Sequence, residues 1–186
     1  MRHSLALNQI GIHHSLSERH WGVTMDNDIL RVPKQLKPVT LWVHPEGRVL
    51  GALFLREQSP YHAGPEQPLE VLNQSEPFLV FRRDEPKELR FYNKRAIIRV
   101  EYPAAETPAA DATAIQCRLH MMDGSLISGL IHEPLPPHQA RLLDYLNKTE
   151  DSFIKIHMDE GLVYLVNKAY IIHVHVANLD DEAMEE

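Results

Sequence analysis

The sequence predicts a mainly β fold with short helices, arranged as two tandem small curled-sheet or barrel-like modules of five strands and one short helix each. Three observations carry this. Apolar runs of four to eight residues alternate with turn residues. The runs recur twice in the same order, and an Ala/Pro-rich stretch without large apolar side chains separates the two sets.

In the first set, residues 39–43 read as a strand, Pro45-Glu46-Gly47 as a turn and residues 48–55 as the return strand. A polar loop at 57–67 follows, then Leu69, Val71 and Leu72 in a short helical turn. Asn73, which tolerates left-handed backbone, is expected to end that turn. Residues 78–81 and 89–92 are the third and fourth strands, Asn93-Lys94 a tight turn, and residues 96–102 the fifth strand.

The second set repeats this punctuation. Residues 115–121 and 125–131 flank the turn Met122-Asp123-Gly124. A clearer amphipathic helix spans 141–146 and ends at Asn147; strands at 153–156, 162–166 and 170–177 follow, the last two joined by Asn167-Lys168. Glu46-Gly47 aligns with Asp123-Gly124, Leu72-Asn73 with Leu146-Asn147, Asn93-Lys94 with Asn167-Lys168, and Ile97-Ile98 with Ile171-Ile172, at a nearly constant offset. An ordered series of this kind points to a tandem duplication.

The predicted organisation is therefore an irregular N-terminal extension (1–37), the first module (38–103), an Ala/Pro linker (104–113), the second module (114–178) and an acidic tail (179–186). Within the extension, Met25 opens an ordinary bacterial N-terminus, and residues 1–24 read as a translated leader. A module of this size buries only about 60% of its unfolded surface. The two are expected to pack on each other as a pseudo-two-fold unit, and open edges favour homo-oligomers.

A formal net charge of −7 works against nucleic-acid binding, which draws its affinity from Lys and Arg contacts to phosphates. Arg82, Arg83, Lys87, Arg90, Lys94, Arg95 and Arg99 cluster in the first module and read as a solvated strand face. One cysteine, Cys117, rules out an internal disulfide and alternates with Ile115, Leu119 and Met121 as a small buried hydrophobe. No apolar run reaches bilayer length and no signal segment opens the chain, so the expected location is the cytoplasm. Gly-rich phosphate loops, nucleophile elbows, zinc-protease motifs and the arginine motif of cyclic-dinucleotide receptors are all absent, and no cofactor is expected.

His173 and His175 point to one strand face and are the most metal-like pair; His120, His132 or His157 could supply a third ligand. Their first-module counterparts are Arg99 and Glu101, which makes this a polar, solvent-facing surface. His3, His13, His14 and His20 lie in the aperiodic extension, which offers them no fixed geometry. The four repeated asparagines read as turn and cap residues. Lys94 and Lys168 are expected to be exposed, and with Arg99 and Asp144 they are the candidate partner-binding residues. Arg141 is spaced to pair with Asp144.

The segments Arg-Leu-Leu-Asp-Tyr-Leu-Asn (141–147) and Val-Asn-Lys-Ala-Tyr-Ile (166–171) resemble a family of uncharacterised bacterial domains that carries Arg-Leu-x-Asp-x-Leu-Asn and Val-Asn-Lys-x-x-Ile. The likeness covers residues 115–177, and the first module is a degenerate version of it. It implies a fold and no activity. A fainter similarity is to Sm-like small barrels, through the Asp-Gly hairpin, the repeated Asn and the turn before the last strand. Asn-Lys replaces the Sm-type Arg-Gly there, and the helix lies inside the module.

The sequence thus favours a non-enzymatic, cytoplasmic protein-binding or scaffold module, acting through the groove between the modules or the loops at 57–67 and 133–140. A ligand-sensing or enzymatic domain with an inter-module pocket is the alternative. Sm-like oligonucleotide binding is the third, and requires a basic stripe along Arg82, Arg90, Lys94 and Arg99.

Overall fold

The computed structural model describes residues 33–104, 112–133, 141–159 and 161–176. The histidines of the N-terminal extension, Met25, most of the linker and of the loop at 133–140, and the acidic tail lie outside the described residues. The first half runs β1 (Lys34–Val43), β2 (Gly47–Arg56), α1 (Pro68–Asn73), β3 (Phe78–Arg83), β4 (Glu88–Asn93), a 3-10 turn (Lys94–Ala96) and β5 (Ile97–Pro103). The second half repeats the order: β6 (Thr113–Met121), β7 (Leu126–Glu133), α2 (Leu142–Leu146), β8 (Phe153–His157), β9 (Leu162–Asn167), a 3-10 turn (Lys168–Tyr170) and β10 (Ile171–Val176). Five strands and a short helix per half is the architecture the sequence predicts.

The ten described strands form one antiparallel sheet in the order β10-β6-β7-β8-β9-β5-β1-β2-β3-β4. Each half contributes five neighbouring strands in the same internal order, its fifth strand at one edge and its fourth at the other. The halves meet where β5 of the first pairs with β9 of the second, Val100 facing Leu165 and Tyr102 facing Val163. The expected pseudo-two-fold is therefore not what forms. A two-fold would pair like edges, whereas here a fifth strand meets a fourth strand, a head-to-tail arrangement that leaves β10 and β4 as unlike ends, unpaired among the described strands.

In both halves a glycine of the second strand lies tight against the third. A Cβ on Gly51 would lie within 2.6 Å of the Arg82 carbonyl oxygen and the Phe81 ring, and one on Gly129 within 2.7 Å of the His157 carbonyl and Ile156. Phe81-Arg82 and Ile156-His157 hold the same place in their strands. The close approach of the second strand to the third therefore needs a residue without a side chain in both halves.

β1 begins at Lys34, inside the stretch read as irregular extension. Pro38 explains the misreading. β1 pairs with β2 along its whole length but with β5 only from Thr40 onward, so one side of the strand is open around Pro38 and a residue without an N–H is tolerated there. The helices also depart from expectation. α1 is the better built, with a capping box between Gln67 and Glu70 and Pro68 in its first turn, while α2 lacks a side-chain cap. Neither ends in left-handed backbone at its cap: Gln74 after α1 is extended, and Asn147 after α2 has φ −87° and ψ 3°.

Candidate functional site

The cores of the two halves are stitched together at the β5·β9 junction. Val163 and Leu165 of β9 and Phe153 of β8 join the core of the first half, beside Val100, Tyr102 and Leu72. In exchange, Ile98 of β5 joins the core of the second half beside Ile154 and Val166. Each strand of the junction feeds both cores: β5 sends Val100 and Tyr102 into the first and Ile98 into the second, and β9 sends Val163 and Leu165 into the first and Val166 into the second.

The registers within each half identify the same positions at the open ends. Phe78 faces Asn93 as Phe153 faces Asn167, so Phe78 corresponds to Phe153, and along β4 Leu89 and Phe91 correspond to Val163 and Leu165. The two sets differ sharply in exposure. Phe153, Val163 and Leu165 are 1%, 1% and 0% exposed, whereas Phe78, Leu89 and Phe91 are 54%, 59% and 70% exposed. Val80 extends the exposed patch on the same face. At the opposite end, Ile172 on β10 is 62% exposed while its counterpart Ile98 is 5% exposed. Leu143 on α2 is also bare, whereas Leu69 at the matching place on α1 packs against the core. None of these residues stands out in the sequence as a site; the signal was an apolar residue at both members of every repeated pair except Val80, whose counterpart is Lys155.

The four repeated asparagines divide in the same way. Asn93 and Asn167 each accept a hydrogen bond from the backbone two residues on, Arg95 N and Ala169 N, both at 3.0 Å, which caps the 3-10 turn as expected. Asn167 also donates from Nδ2 across the junction to the carbonyls of Ile97 (2.9 Å) and Lys94 (3.3 Å). Asn73 works wholly across the junction. Its Oδ1 accepts from Phe153 N (2.8 Å) and Ser152 N (3.0 Å), and its Nδ2 donates to the Phe153 carbonyl and the Asp151 carboxylate (both 3.1 Å). At the open ends, Asn93 bonds only within its turn and the Asn147 side chain has no hydrogen-bond partner among the described residues.

Lys94 and Lys168 are not the exposed cations the sequence suggested. Lys94 is buried and donates from Nζ to the Gln74 carbonyl after α1 (2.9 Å); burial lowers its pKa. Lys168 is half-buried and donates to the Leu146 carbonyl at the end of α2 (3.2 Å). Each places its ammonium on carbonyls left bare by a short helix, where the positive charge is favoured.

Arg99 is buried as well. Its guanidinium lies 4.1 Å from the Trp42 ring, bonds Glu101 at 2.7 Å and reaches Asp123 of the second half at 3.3 Å. The Arg99 face is thus covered by the junction, while its counterpart His173 is exposed and stacks on His120 at 4.1 Å. His175 is exposed on the same face. His132 and His157 form a separate edge-to-face pair between β7 and β8. Among the described residues no group of three or more His, Cys, Asp or Glu has a geometry that could hold a metal ion.

Asp144 is exposed on α2 and forms no ion pair with Arg141, which lies ahead of the helix as its N-cap. Its counterpart Glu70 accepts instead from the Gln67 backbone and Ser59 Oγ, bonds that hold its carboxyl below the usual range against the opposing effect of desolvation. Cys117 is buried against the Gly129 carbonyl, and desolvation pushes its thiol up to about 11, which removes the thiolate at neutral pH. The basic stripe is broken too. Lys94 and Arg99 are bound internally, and Arg90 pairs with Glu46 and Glu88, which leaves Arg82 as the exposed cation of the four.

A cleft of about 410 Å³ lies between the halves, lined by Leu72, Glu76, Lys94, Arg95, Phe153 and Asn167 among others. Lys94 and Asn167 spend their donors on the protein itself. No helix among the described residues is long and apolar enough to cross a membrane. Comparison with protein-family models, curated proteins and solved structures finds no match for this chain.

Proposed function

We propose that the chain is a non-enzymatic protein-binding or scaffold module of the bacterial cytoplasm, built from two copies of one duplicated module, whose working surface is the open edge β4 with the adjoining face of β3. The observation that carries this reading is the exposure of Phe78, Leu89 and Phe91 at positions that are buried in the second half. Monomeric proteins rarely leave a contiguous apolar patch beside an unpaired strand, because that combination templates pairing with another chain. The recognition mode is strand addition: backbone ladder bonds supply affinity, and alternating side-chain positions supply selectivity. Three of the side chains a catalytic reading would use are already engaged. Cys117 is buried and protonated, and Lys94 and Glu70 serve helix ends.

The test uses a labelled peptide of residues 97–103, the strand that covers the matching edge inside the molecule. Saturable binding to dilute chain, abolished by Phe91→Lys and unaffected by Lys168→Ala, is expected in fluorescence anisotropy. Equal binding to the wild type and to Phe91→Lys, or no binding at all, overturns the reading.

A further inference from the structure

We infer that the partner at this edge is a second copy of the chain, docked head-to-tail so that β10 of one molecule pairs antiparallel with β4 of the next. This rests on the strand-addition reading above and adds the identity, polarity and register of the partner. The warrant is the internal junction. The fold already contains one fifth-strand-to-fourth-strand interface, β5·β9, and the described sheet ends in the same two edges unpaired.

Carrying the β5·β9 register over to the open ends places Val174 of one molecule opposite Phe91 of the next, His173 opposite Tyr92, and His175 opposite Arg90. Phe78, Leu89 and Phe91 would then enter the space between β10 and α2 of the neighbour, as Phe153, Val163 and Leu165 enter that between β5 and α1. Ile172 would be covered as Ile98 is.

The polar groups match as well. Asn73 grips the Phe153 backbone and the Asp151 carboxylate. Its counterpart Asn147, whose side chain is unbonded among the described residues, would meet the Phe78 backbone and Glu76, an acid at the place of Asp151. Asn167 reaches the Ile97 and Lys94 carbonyls, and Asn93, whose Nδ2 has no partner among the described residues, would reach those of Ile171 and Lys168. Both members of each clasp are therefore present on the two ends, and only on unlike ends. An interface between unlike edges is heterologous, so it propagates until it closes into a ring or continues as a filament.

Two measurements on the full chain test this. Native mass spectrometry and light scattering at concentrations on the order of 100 μM should show species larger than the monomer. Phe91→Lys should raise the dissociation constant roughly 30-fold or more, the loss typical of a central aromatic in an interface, while the midpoint of thermal unfolding stays unchanged because the residue is exposed in the single chain. Polarity is read by mixing two variants, Arg90→Cys and His175→Cys, under mild oxidation. Disulfides should join one variant to the other and not either variant to itself.

A two-fold dimer linking like variants overturns the proposal. So does a chain that stays monomeric while binding the free strand peptide, a result that would leave the strand-addition reading standing. A monomer that binds no peptide removes both.

Discussion

β4 and β9 occupy the same place in their halves, carry apolar residues at the same positions, and live in opposite environments. On β9, Val163 and Leu165 are sealed beneath β5; on β4, Leu89 and Phe91 face solvent. β4 carries Glu88 and Arg90, the kind of charge that usually guards an edge strand, but its other face bares Leu89 and Phe91. Under the head-to-tail proposal, the contrast is between one interface filled at the interior junction and the same interface empty at the two ends.

The contrast breaks most visibly under truncation of the aromatic ring. Phe153→Ala should destabilise the folded chain by about 3–5 kcal/mol through the cavity it leaves, whereas Phe78→Ala at the matching exposed position should change it by less than about 0.5 kcal/mol. Urea unfolding of dilute protein measures both. If the two cost the same, the assignment of Phe153 to the junction fails.

Glycine replacements sharpen the contrast by showing where the halves do not differ. Gly51→Ala and Gly129→Ala each drive a methyl into a carbonyl of the neighbouring strand, so each should cost about 1–3 kcal/mol in the same assay. A neutral result at either position would show that its strand crossing can open.

The asparagines come next. Asn73→Ala strips four junction bonds and should cost about 1–3 kcal/mol, while Asn147→Ala should cost the dilute chain only a few tenths. Equal losses would reduce both residues to helix-end chemistry.

The smallest expected effect is a pH dependence that belongs to one half. Desolvation, with Lys155 and His132 nearby, lowers the pKa of His157 to about 4. The unfolded chain therefore takes up this proton more readily than the folded one. Stability from this residue is intact above about pH 6.5 and declines as pH falls toward 4, by on the order of 1 kcal/mol once solvent screening is allowed for. His157→Gln should flatten that part of a thermal-stability profile. The first half has Arg82 at this place.

Strands, turns and the repeated order were legible because period-two burial and turn residues are local signals. The start of β1 was not, since a proline reads as a break until one sees that only one side of the strand is paired there. Lys94 and Lys168 looked exposed because sequence shows a charge beside a turn and hides the helix-end carbonyls about twenty residues earlier. Asn73 and Asn167 were readable as repeated residues. Their contacts across the junction span seventy or more residues and were out of reach of any local rule. The comparison of repeated positions that placed His173 and His175 at the surface holds for them. It misplaced Arg99, because the two halves are not in equivalent environments.

The most direct test of one interface, filled and empty, is hydrogen exchange of β4 and β9 amides across a dilution series. The amides of β9 that bond β5 should be protected at every concentration. Those of β4 that point away from β3 should exchange freely when dilute and gain protection as concentration rises. Amides of β4 that stay equally fast from the most dilute to the most concentrated sample would contradict the account, as would amides that are protected at every dilution.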